Sequence, residues 1–269
     1  MRNLIRADIY AIVRGKALYI TFAVILALNI LVISTHNSGG GINIGFEFDA
    51  EQAANATIQQ QGLDGIGSAM LLYTNMDIMV YFLLPLIILA AAPIFKHGTV
   101  KNDLAWGISR TKLYMSKLVL CISLCILMVV FYMTSGMLLA TITNGWGSVT
   151  PDGYWLGLIQ TLGAQLFMLI ALACIGVFLV FTTKRTAAVN GAYIAFCFVP
   201  LMIMSLLFET GVVTSQRMMD FDITMGINRL GFLSQLQTSS ILTIFAVGAG
   251  YMVLSTVGGL ALFRKAEIK

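Results

Sequence analysis

Six stretches of this chain contain no Asp, Glu, Lys or Arg: near Ala17–Ser34, Ile78–Ile94, Leu118–Thr141, Leu158–Phe181, Thr186–Phe208 and Ile241–Phe263. A helix needs about 20 residues to cross about 30 Å of hydrocarbon, so each stretch is near membrane-spanning length. Their apolarity is continuous and lacks the alternation of barrel strands. A helix, moreover, satisfies its backbone N–H and C=O groups within one segment. The sequence therefore predicts an all-α polytopic membrane protein with six transmembrane helices, forming a single transmembrane domain over residues 1–269. A soluble enzyme or a disordered chain is excluded by composition. Only 10% of the residues are charged and 58% are hydrophobic, where an average soluble domain is roughly a quarter charged.

Charge between the stretches sets direction. The N-terminal segment, the segment after the second stretch, the turn after the fourth and the C-terminal tail hold 14 basic residues against Asp8, Asp103 and Glu267. The other three connections hold Arg217 and Arg229 against nine acidic residues. Basic loops stay in the cytoplasm, so both termini are expected there, in a multi-pass protein of the plasma membrane. The net charge of +4 is then a matter of anionic lipid headgroups rather than nucleic acid. Membrane lipid is the expected partner and nucleic acid is not. The first stretch is expected to be a retained helix rather than a cleaved leader, since no convincing small-residue cleavage site follows it. Cys121, Cys125, Cys174 and Cys197 all fall inside spans without metal-ligand spacing and are expected to be inert.

Residues 1–16 place Leu4, Ile5, Ile9, Ile12 and Val13 at roughly helical spacing, interrupted by Asp8. This predicts a helix lying in the membrane interface. The loop from Thr35 to Asp77 opens on Gly39, Gly40, Gly41 and Gly45 and is expected to be partly helical, partly mobile. Residues 209–239 keep too many apolar side chains for a free aqueous loop, among them Met218, Met219, Phe221, Ile223, Met225, Ile227, Leu230 and Phe232. They are expected to form an outer hairpin folded against the bundle or the membrane.

Catalytic chemistry is missing. His36 and His97 fall on opposite membrane faces, and no GxxxxGK[ST] loop is present to hold nucleotide phosphates. The chain is not expected to be an enzyme. Buried ionisable groups usually mark ion or proton paths, and the spans offer Asn29, Gln160, Gln165 and Asn190 instead. Interhelical hydrogen bonding is the favoured role for these amides. Energy for any uphill movement must then arrive through another polypeptide.

Residues 95–117, FKHGTVKNDLAWGISRTKLYMSK, are where it can arrive. Gly98 and Thr99 can open a short helix, with the Thr99 hydroxyl capping it. Val100 and Leu104 share a face four residues apart, Trp106 is nearby, Gly107 supplies a stop, and Ser109 can cap the helix that follows. A solvated basic loop explains the lysines but not a tryptophan and spaced aliphatics. The segment resembles the membrane subunits of ABC-2-type transporters, and more narrowly the small six-span permeases of lantibiotic-immunity and bacitracin-resistance exporters. Gly98, Thr99, Val100, Lys101, Leu104, Gly107, Ser109, Arg110 and Lys117 carry that resemblance.

The resemblance implies a permease that pairs with a second copy or a related permease and binds a separate ABC ATPase. Residues Val100–Trp106 would be the coupling helix seated in a groove of that ATPase. No cofactor would be held by this chain, ATP and Mg²⁺ residing on the ATPase. A hydrophobic or amphipathic cargo, such as an antimicrobial peptide or a lipid-linked compound, would be expelled outward. Pro85, Pro93 and Pro200 would be kinks in that motion or static bends. The competing reading is a non-transporting immunity or sensor protein that binds a peptide or lipid.

Overall fold

All six uncharged stretches are helical. The computed structural model describes residues 2–37, 63–96, 99–147, 153–210 and 216–265, which contain helices and no strands. In chain order these are α1 (Arg2–Arg14), α2 (Lys16–Asn37), α3 (Gly65–Thr74), α4 (Met79–Ala91), α5 (Pro93–Lys96), α6 (Thr99–Ala105), α7 (Arg110–Asn144), α8 (Tyr154–Thr183), α9 (Thr186–Glu209), α10 (Ile223–Leu230) and α11 (Thr238–Lys265). Short 3₁₀ turns occupy Met76–Ile78, Gln216–Phe221 and Leu233–Gln235. Six helical segments are long and apolar enough to cross a membrane: Lys16–Asn37, Met76–Phe95, Arg110–Asn144, Tyr154–Thr183, Thr186–Met204 and Thr238–Lys265. The protein is an all-α, multi-pass membrane protein.

Spans two, three and four form the centre of the bundle, while spans one, five and six keep most of their surface outside it. Exposed Leu206, Leu242, Leu254 and Val257 on those outer helices would be unfavourable in water and are neutral against lipid tails. Small residues let the central helices close up. A Cβ at Gly136 of α7 would strike Leu72, and one at Gly176 of α8 would strike Ile87, so both glycines accept an aliphatic knob from the second pass.

That second pass differs from expectation. Apolarity places its start at Ile78, but the chain already joins the bundle at Gly65. Asp64 caps α3 by accepting from the Gly67 N–H at 2.6 Å, and Gly65 and Ile66 donate to the carbonyls of Gly145 and Trp146 at the end of α7. α3 then runs beside α7, where Tyr132 Oη donates to Leu72 O at 3.3 Å. The helix breaks at Asn75, makes the Met76–Ile78 turn and resumes as α4. Residues 65–77 of the expected loop therefore belong to the bundle. Gly39, Gly40, Gly41 and Gly45 lie outside the described residues. Pro85 and Pro200 sit inside continuous helices, whereas Pro93 opens α5 after the bend at Ala92.

The segment after span five is folded against the bundle. Asp222 caps α10 by accepting from Thr224 and Met225 N–H at 2.8 and 2.9 Å. Ile223, Met225, Ile227 and Leu230 of α10 are buried, as are Met219 and Phe232 beside it. Asp220 is buried and paired with Arg229. α10 packs on α8, on α11 and on the Met76–Ile78 turn. Because span two begins at that turn and ends at α6, the hairpin and α6 occupy opposite ends of the bundle. Phe221 stays exposed, and the Met218 side chain lies outside the described residues.

Candidate coupling site

The end of the bundle opposite the hairpin gathers the basic segments, and α6 sits there. His97 and Gly98 lie outside the described residues, as does the Thr99 side chain, although Thr99 itself opens α6. Val100 is 3% exposed and Leu104 is half-buried, both packed on the main apolar core. Lys101, Asn102 and Ala105 face away. Trp106 is 86% exposed. The two aliphatics that the sequence places on one face thus point into this chain's own bundle, and the tryptophan points out of it.

The C-terminal end of α6 is fixed by backbone geometry. Ile108 N–H bonds Asp103 O at 3.1 Å and Gly107 N–H bonds Leu104 O at 3.0 Å, the paired closure of a left-handed helix stop. Gly107 supplies the required φ of +80°, which a Cβ would resist. Ser109 then caps α7, its hydroxyl accepting from Lys112 N–H at 3.4 Å. One residue, Ile108, separates α6's stop from α7's cap, so α6 is joined to the third span by a short link.

Side chains fasten the same point to two further helices. Arg110 Nη1 donates to the carbonyls of Phe263 and Arg264 at 3.0 and 2.7 Å. It thereby satisfies and neutralises the C-terminal end of α11. Arg264 returns a bond to Thr111 Oγ1 at 2.9 Å. Lys117 Nζ pairs with Asp8 at 2.7 Å, with the lysine side chain 3% and the aspartate 24% exposed. Asp103 on α6 belongs to this group: burial pushes its carboxyl up and the Asp8 charge adds to that, while the Lys117 ammonium pulls it down. Beneath them Phe181 meets Phe95, Tyr114 and Phe263 edge-on at 5.2, 4.8 and 4.9 Å between ring centres. Four spans therefore share one aromatic cluster at this end.

The Asp8–Lys117 pair was not legible as a pair. Asp8 reads as a flaw in the apolar stripe of α1, and Lys117 as one more positive-inside charge. In fact Leu4, Ile5, Asp8 and Ile12 form the inward face, and Ile9, Tyr10 and Val13 are exposed. A lone acid in register with buried aliphatics was the available signal, since such a group requires a partner.

Among the amides, Asn29 donates to Tyr132 O and Ser135 Oγ at 3.1 and 2.8 Å. Gln165 donates to Tyr73 O and Ile227 O at 2.7 and 3.1 Å. Gln165 thus joins the break in span two to the hairpin above it. Gln160 and Asn190 are exposed; Gln160 faces a cavity of about 350 Å³ with Tyr73, Tyr154, Thr161 and Ser234. One expectation needs correcting. The second span begins at Met76 and so includes Asp77, which is 8% exposed, and the spans are therefore not free of ionisable groups. Apolarity alone misses Asp77 because it sits in a 3₁₀ turn packed by protein rather than by lipid.

Among the described residues no three or more His, Cys, Asp or Glu side chains are grouped to hold a metal. The four cysteines are buried and unpaired. No protein-family model matches the chain, and no curated protein matches it.

Proposed function

We propose that this chain is the transmembrane permease subunit of an ATP-driven ABC exporter, moving a hydrophobic or amphipathic cargo out of the plasma membrane. ATP is hydrolysed on a separate ATPase bound at the cytoplasmic, basic end. The observation that carries this reading is Trp106: a large apolar side chain 86% exposed, at the tip of a helix whose other face is anchored by Val100. Aromatic side chains of this kind, presented by a rigid element, are the usual anchors of protein interfaces. Load applied at Trp106 reaches α7 through Gly107–Ser109, α1 through Lys117–Asp8 and α11 through Arg110. Residues Thr99, Val100, Lys101, Leu104, Gly107, Ser109 and Arg110 build and orient the peg, and Trp106 is the contact. A second copy or a related permease would complete the transport path.

The roles of Val100 and Trp106 separate in a direct test. Full-length chain is affinity-purified from its native membranes as wild type, Trp106→Asp and Val100→Asp. ATP turnover and any co-purifying chain bearing a phosphate-binding loop are then measured. Trp106→Asp should stay monodisperse at wild-type thermal stability and lose both the ATPase chain and its turnover. Val100→Asp buries a carboxylate and should lose stability itself. Full retention of ATPase by Trp106→Asp overturns the proposal, as does a wild-type preparation without such a chain. The latter result would leave the non-transporting immunity or sensor protein as the better reading.

A further inference from the structure

At the basic end, the turn between spans four and five opens on a cavity of about 270 Å³. Its apolar lining, Ala92, Phe95, Val180 and Val189, comes from spans two, four and five, and exposed Lys184, Arg185 and Thr186 complete it. The size is close to the lower end of small-ligand pockets, about 300 Å³. Neither Lys184 nor Arg185 forms an ion pair among the described residues. Helix geometry leaves the N–H groups of Thr186, Ala187 and Ala188 without acceptors inside α9. Arg185, which precedes them and accepts Val189 N–H on its carbonyl at 3.0 Å, has no side-chain acceptor to offer.

Lys184 has a further peculiarity. It is the only non-glycine with positive φ among the described residues, at +55°, where its N–H closes α8 on Val180 O at 3.0 Å. Glycine or asparagine occupies such a position at lower cost. The negative end of α8 accounts for one cation here. It does not account for two cations beside unsatisfied N–H groups and an apolar cavity. Cations and N–H donors suit a phosphate anion, and an apolar wall continuous with the spans suits what a lipid carries below its phosphate.

We infer that this cavity is a binding site for the phosphodiester headgroup of an anionic membrane lipid, held by Lys184, Arg185 and the start of α9, with its glycerol against Phe95 and Val180. Basic pockets between transmembrane helices bind such headgroups elsewhere. The site does not depend on an ATPase partner. Free phosphate shares the recognised chemistry but would leave the apolar wall unused.

The full-length chain, purified in detergent and delipidated, is titrated with dioctanoyl phosphatidylglycerol, dioctanoyl phosphatidylcholine and inorganic phosphate, and bound ligand is counted by native mass spectrometry. Each basic residue near an anionic headgroup is worth about fivefold in affinity. Phosphatidylglycerol should therefore bind about thirtyfold more tightly than phosphatidylcholine. Lys184→Gly should lose about fivefold and Lys184→Gly with Arg185→Gln the whole preference. Lys184→Gly also relieves the left-handed backbone, so its lipid-free thermal stability should be equal to or above wild type, and lost binding is then not lost folding. Arg185→Gln alone, on an exposed side chain, gives the same about fivefold reading if the double variant fails to fold. Lys112→Gln with Lys265→Gln, exposed cations at the same end, should keep the preference. Equal affinity for the two lipids overturns the inference. So does a preference abolished equally by the Lys112 and Lys265 control, or full competition by inorganic phosphate at the lipid's own concentration.

Discussion

Lys117→Met isolates the fastening between α1 and the third span. Lys117 is 3% exposed and its ammonium lies 2.7 Å from Asp8, itself 24% exposed. Removing one member of a fully buried pair costs about 3–5 kcal/mol, because the other charge is left without a partner in a poor solvent. Asp8, 24% exposed, can rehydrate in part, which brings Lys117→Met below that range, to about 2–3 kcal/mol. Asp8→Leu takes the bonded partner from the less exposed ammonium and should cost at least as much. Lys117→Met with Asp8→Leu removes both charges and should recover to within about 1 kcal/mol of wild type, since apolar replacement of a buried pair is often neutral. Thermal unfolding of the detergent-solubilised full chain, followed by fluorescence-detected size exclusion across the cycle, gives the ordering. Strictly additive losses, or a single Lys117→Met variant indistinguishable from wild type, would refute the claim that this pair bears on stability.

Two further expectations concern the opposite end. Gln165→Leu leaves Tyr73 O and Ile227 O without their donor and should cost about 1–3 kcal/mol for the two bonds together. Limited proteolysis should then cut faster near Gln216–Phe221, and unchanged protection would show that the amide does not hold the hairpin. Burial pushes the Asp222 carboxyl up, against the opposing pull of the Met225 and Thr224 N–H groups. A carboxyl raised on folding contributes stability that is full below its unfolded pKa and lost as pH rises through the folded one. Asp222→Asn keeps a capping oxygen and removes that titration. Relative to the variant, wild type should therefore lose thermal stability on going from about pH 4 to 8, and parallel profiles would contradict this.

The six spans were legible because lipid is an unforgiving solvent: a charged side chain facing it is costly, so uncharged runs mark the lipid-crossing parts of helices. Where protein replaces lipid, that rule loosens. α7 extends back to Arg110 and carries Lys117 because Asp8 neutralises it, and the second pass holds Asp77 because the hairpin covers it. The stop at Gly107 and the cap at Ser109 were readable from local chemistry, since both use backbone groups within a few residues. The side to which Val100 and Leu104 point was not, for their spacing fixes a shared face but not its direction.

By itself, the amino-acid order determined the number of crossings, the segregation of charge to one end and the apolar character of the hairpin, all consequences of solvation acting on each segment alone. Tertiary structure decided the rest: that α3 joins the second pass, that Gln165 bridges its break, that Asp8 meets Lys117 across 109 positions, and that Trp106 faces outward. Those outcomes depend on which distant segments become neighbours, and a hydrogen bond or ion pair between remote residues leaves no periodicity in the chain to be read.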